Sequence, residues 1–178
     1  MVGRTLRKCL GFFVVWPLLA QAEPAADAEA AAAVQTHLGL FLTTEDRREA
    51  SELVTHRDER LEIWFLRTVG PTQRDAAVCD GARWLLTGRL EKSTGARGLF
   101  AALPGVDEVV LVFYKLETRV KPDAQGRYQQ VRDVSPEARF TLSRDKALQL
   151  DPATLRGTLV GDRCASLGVS LLDGVWTP

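Results

Sequence analysis

Two histidines and three cysteines in 178 residues leave little material for metal or nucleophile chemistry. A catalytic zinc takes about three protein ligands. No H-E-x-x-H is present, and His37 and His56 stand 19 positions apart. The serine-hydrolase elbow G-x-S-x-G is missing too, since Gly168-Val169-Ser170 runs into Leu171-Leu172. Lys92-Ser93 has the ending of a phosphate loop, but Leu90-Glu91 stand where glycine is needed. No dinucleotide fingerprint occurs. The reading therefore assigns no catalytic, cofactor-binding or metal-ligating residue, and expects no cofactor.

Charge of either sign is not in excess: Lys+Arg and Asp+Glu are 23 each. Such a balance argues against a protein that coats nucleic acid. Three cysteines cannot build a disulfide-dense scaffold. An apolar fraction of 46% excludes a wholly disordered chain.

The first twenty-two residues are present in a distinctive order. Arg4, Arg7 and Lys8 make a basic start without an acid. An apolar run from Cys9 to Ala20 follows, then the small-x-small site Ala20-Gln21-Ala22 and Glu23-Pro24. These are the three parts of a secretory signal peptide. The run is shorter than the roughly 20 apolar residues a membrane-spanning helix requires. Cys9 precedes the run, which argues against lipidation, and Arg7-Lys8 is not a twin arginine. Removal of residues 1–22 takes three basic residues and no acid, leaving 20 basic against 23 acidic, a net charge of −3. The expectation is a soluble secreted or periplasmic protein with no stable membrane insertion after cleavage and no nucleic-acid partner. Cleavage also removes Cys9, leaving Cys79 and Cys164 as an even pair in an oxidising compartment, which points to one structural disulfide. Two buried, inert thiols are the alternative.

Residues 23–34 are mostly alanine and acid, with little side chain to bury, and read as a tether or a frayed helix. The remainder, 35–178, reads as one domain. Val34, Leu38, Phe41 and Leu42 have helical spacing, and Thr43 with Asp46 fits a capping box. The stretch that follows fits either a short helix or a hairpin through His56-Arg57-Asp58-Glu59. Residues 60–69 read as a strand, with Leu61, Ile63 and Phe65 on one face and Glu62, Trp64 and Leu66 on the other. A helix follows, with Thr72 as its cap, Val78, Cys79, Ala82, Leu85 and Leu86 as its inner face, and Gly88 at its end. A second helix spans Thr94 to Leu103.

Residues 106–116 are the best strand. Val109 to Tyr114 is apolar at both parities, which places it centrally in a sheet. From 117 to 143 the chain reads as a meander: a turn over Lys121–Gly126, a polar edge strand from Arg127 to Val134, and an alternating strand from Glu137 to Ser143. Asp151-Pro152 starts another helix. The expected architecture is α+β: a single, mainly antiparallel sheet packed against two to four helices.

Three clusters deserve weighing for function. His56 with Asp58 is the one pair suited to acid–base work, although THRDER reads more simply as a solvated turn. The carboxylate pairs Glu45-Asp46, Asp58-Glu59 and Asp107-Glu108 are each adjacent in polar connections, whereas glycosidase carboxylates face one another from separate elements. Trp64, Trp84 and Trp176 fit core positions best, with Trp64 favoured as a contact point because it shares a sheet face with Glu62. The functional expectation is a non-catalytic binding or interaction module of the cell envelope or exterior, with a protein or small-ligand partner outside the cytoplasm. The alternatives are a secreted hydrolase using carboxylates or His56, and an inhibitor or assembly factor for another exported protein.

Overall fold

The computed structural model describes residues 23–40 and 53–177. The expected signal segment 1–22, the expected cap at Thr43–Asp46 and the pair Glu45-Asp46 lie outside them.

Helix α1 spans Glu23–Leu38. The alanine-rich stretch is helical and, from Ala30 on, packed: Ala30, Ala31, Val34 and Leu38 are buried. Small side chains let a helix approach its neighbours closely, so little apolar mass per residue is needed to hold it. A hairpin follows, settling the ambiguity before residue 60: β1, Val54–Arg57, pairs antiparallel with β2, Arg60–Leu66, across a turn in which Asp58 has φ 54°.

Thr72 is not the cap of the next helix. A tight turn over Pro71–Gln73 precedes α2, Arg74–Thr87, and no side chain caps its start. Gly88 does end it, at φ 75°, a backbone angle that favours glycine. Helix α3, Gly95–Ala102, buries Leu99 and Phe100. The pair α2–α3 forms the crossover to β3, Glu108–Pro122, which runs parallel to β2. The chain then returns as β4, Tyr128–Ser143. This is one strand of 16 residues, not an edge strand followed by a separate strand. Short helices α4 (Arg144–Gln149), α5 (Pro152–Thr158) and α6 (Cys164–Leu171) lead to β5, Gly174–Trp176.

The five strands lie in the order β1-β2-β3-β4-β5, antiparallel except for β2–β3. The fold is thus a single α+β domain. It has six helices among the described residues, more than expected, because residues 144–171 divide into three short ones.

β3 is the middle strand, and Val109 to Tyr114 is buried on both faces, as the sequence pattern required. The helix-facing layer contains Leu61, Ile63, Val109, Leu111, Phe113, Phe140 and Leu142. An edge-to-face chain of rings crosses it: Phe65–Trp84 at 5.0 Å, Trp84–Phe113 at 5.2 Å and Phe113–Phe140 at 5.1 Å. Phe113 and Phe140 are fully buried, which stabilises by about 1.5–3 kcal/mol each, and Phe65 and Trp84 are partly buried at the margin.

Two arginines hold loop carbonyls that helices leave open. Arg144 donates to the carbonyls of Phe100, Leu103 and Pro104, each at 2.9 Å, and to that of Val106, while its Nε meets Asp107 at 2.9 Å. Arg156 donates to the carbonyls of Thr87 at 2.6 Å, Leu90 at 3.0 Å and Ser93.

Candidate interaction surface

β3 and β4 are much longer than their neighbours. Contact with β2 ends at Tyr114, and contact with β5 begins at Arg139. Beyond them, residues 115–122 and 128–135 are paired with each other alone among the described residues. At about 3.4 Å per residue, this two-stranded ribbon reaches about 27 Å.

The ribbon begins at an irregularity. Phe113 faces Ala138 and Tyr114 faces Pro136, so Glu137 is an extra residue in β4. A bulge bends a strand and raises its twist, and it is a place where proline is tolerated. The bulged Glu137 is buried and its carboxylate lies 3.1 Å from Lys115 Nζ.

One face of the ribbon is laced by ion pairs. Lys115 meets Glu117 at 2.9 Å, Arg119 meets Glu117 at 2.6 Å, and Arg119 and Lys121 each meet Asp133 at 3.5 Å. The hydrogen bond from Arg119, followed by that from Lys115, holds the Glu117 carboxyl down to about 2. The same contacts push Lys115 and Arg119 up, in both cases chiefly through Glu117. The opposite parity carries Leu116, Thr118, Val120 and Pro122, with Tyr128 opposite Pro122. Val120 is 61% exposed and Tyr128 80%.

The tip is stapled by one residue. Asp123 Oδ1 accepts from the backbone N–H of Gln125 at 2.9 Å and of Arg127 at 2.8 Å, and Oδ2 accepts from Arg127 Nε at 2.9 Å. The first of the Arg127 bonds is the main cause of a lowered Asp123 pKa. Gly126 supplies the positive φ, 76°, that closes the turn.

The sheet face opposite the helix-facing layer adjoins the ribbon. Trp64, Val112, Arg139 and Trp176 lie in register across four strands, and the Trp64 and Tyr114 rings are 6.0 Å apart. Trp64 is half-buried beside Glu62 as expected, and Trp176 is 48% exposed. Thr55, Arg57, Arg60, Glu62 and Trp64 line a shallow cleft of about 240 Å³. Trp84 instead lies at the core margin, with Arg67 and Arg89 over its ring.

The remaining candidate residues are dispersed. His56 lies at the register of Leu61, and its Nε2 is buried without a hydrogen-bond partner. Its backbone N–H donates to Asp27 at 2.8 Å. Asp58 is exposed in the turn, so the two do not form an acid–base couple. Asp107 is taken by Arg144 and Glu108 by Arg60 at 3.3 Å. His37 Nδ1 lies 2.9 Å from Thr94 Oγ1. Among the described residues no group of three or more His, Cys, Asp or Glu is placed to hold a metal ion, and no helix is long and apolar enough to cross a membrane. Cys79 on α2 and Cys164 on α6 are at disulfide distance, with Sγ–Sγ 1.92 Å and Cα–Cα 5.2 Å.

The ribbon was not visible as an arm in the sequence. The usable signal was symmetry: extended runs of similar length on either side of Pro122-Asp123 and Gly126, with charges at 115, 117, 119 and 121.

No known protein family, curated protein or solved structure matches this chain.

Proposed function

We propose that this chain is an exported, non-catalytic interaction module of the cell envelope or exterior, and that the β3–β4 ribbon is where it meets a protein partner. The observation that carries the reading is the pairing of a stapled, ion-laced ribbon with apolar side chains left in solvent at its end. A ribbon held in one shape before binding loses little conformational freedom on association. Exposed Val120 and Tyr128 supply contact area, and tyrosine is favoured at interfaces. Trp64 and Trp176 on the adjoining face extend the same surface. The signal-like residues 1–22 and the adjacent Cys79 and Cys164 support export to an oxidising compartment.

The test is affinity purification of the tagged protein from its own host, beside a Val120→Lys/Tyr128→Lys variant. Both side chains are exposed, so the variant keeps its circular dichroism spectrum. The wild type is expected to recover a protein, whether another chain or untagged copies of itself, and the variant to lose it. Equal recovery by both, or recovery of nothing by the wild type, overturns the reading.

A further inference from the structure

The outer edge of the ribbon poses a physical problem. From Lys115 to Pro122 the side of β3 that faces away from β4 has no strand against it among the described residues. A long row of unpaired backbone N–H and C=O groups is a template for another strand, and native proteins either blunt such an edge with charge, proline or a bulge or cover it. The side chains along it indicate which strand would fit.

Taking the docking role of the ribbon as given, we propose that this edge pairs antiparallel with the same edge of a second copy, about a two-fold axis at Thr118. A two-fold contact must be self-complementary: whatever residue i meets, its counterpart meets i. In this register Thr118 faces Thr118, Glu117 faces Arg119 of the second copy, and Leu116 faces Val120 of the second copy. Each of the last two pairs occurs twice. Opposite charges directly across an antiparallel pair stabilise it, as do apolar pairs. The exposed Val120 thus gains the half-buried Leu116 as its cover.

The one unfavourable pair, Lys115 against Lys121, stands at the two ends. Each lysine already has a carboxylate of its own chain: Glu117 and Glu137 for Lys115, Asp133 for Lys121. The outer edge of β4 has no equivalent. Asp133 is the charged residue at odd positions between 128 and 135, and no basic residue shares its parity there. The charge pattern therefore selects β3 over β4, and a second copy over a strand of unrelated sequence.

The register makes a specific demand. Glu117→Arg leaves a chain with Arg at both 117 and 119, and Arg119→Glu leaves one with Glu at both. Neither pairs with itself, but each complements the other. The experiment is sedimentation velocity on the full chain and on both variants, alone and mixed in equal amounts. The proposal expects a wild-type dimer, monomers for each variant alone, and a one-to-one dimer in the mixture. Restoration in the mixture shows that neither variant has simply misfolded. A wild-type monomer, a wild-type dimer indifferent to both substitutions, or a mixture that stays monomeric overturns the proposal. If the wild type is monomeric yet affinity purification recovers a different protein through Val120 and Tyr128, this inference fails while the docking role stands.

Discussion

Gly81 and Gly157 are both helical glycines, yet the structure assigns them opposite behaviour on substitution. A Cβ at Gly81 would come within 2.4 Å of the Phe140 ring, which is buried and fixed edge-to-face on Phe113. Nothing lies within 4 Å of a Cβ at Gly157. Gly81→Ala should therefore destabilise, by about 1–3 kcal/mol as overpacked cores do. Gly157→Ala should stabilise by about 0.5–1 kcal/mol, from the helix preference alone. Urea denaturation of the two variants checks this, and a stabilising Gly81→Ala would contradict the packing described for α2 against the sheet. The sequence showed a difference of this kind only faintly. Phe140 was legible as an inward residue of its strand, but its contact with Gly81 joins positions 59 apart, and periodicity does not report such contacts.

Among the elements, legibility followed burial. Val109 to Tyr114 is apolar at both parities because both of its faces are covered, so β3 was recognisable as the central strand. α1 was obscure because alanine signals helix without showing what it packs against. β4 reads as two strands because its outer half, YQQVRDVS, does not alternate cleanly and a bulge at Glu137 interrupts the pattern. The ion pairs of that outer half make a checkable prediction. Glu117 is held down to about 2, first by Arg119 and then by Lys115, from an ordinary value of 4.5. A carboxyl with a lowered folded-state pKa contributes stability that is present above 4.5 and is lost as pH falls through about 2. The Glu117 side-chain resonance should therefore titrate near 2, and Arg119→Gln should move it up. A midpoint near 4.5 in the wild type would mean that the ladder does not form in solution. The α2–α6 link is the second element-scale prediction. Its cysteines are separated by 85 positions. Closing a loop of that length stabilises by about 4.6 kcal/mol in the chain-entropy model. Cys79→Ala/Cys164→Ala should lower stability by up to that amount, and mass analysis of the protein purified from its host should find no free thiol at either position. Two free thiols would contradict it.

At the scale of the whole molecule, the α+β class was legible because it depends on short spacing, whereas Cys79 and Cys164, 85 positions apart, were paired only through the expected oxidising compartment. The sequence did not indicate the surface proposed here for contact. Val120 and Tyr128 stand eight positions apart and are both exposed, and a side chain's solvent exposure depends on where β2 and β5 stop. That boundary turns an ordinary hairpin into an arm and underlies the functional account. The most direct measurement is site-specific photocrosslinking in the native host, with the reactive residue placed in turn at Val120, at Tyr128 and at Leu148, an exposed apolar position on α4. The account predicts a discrete protein adduct from positions 120 and 128 and none from 148. Adducts from 148 alone, or none from the ribbon, would contradict it.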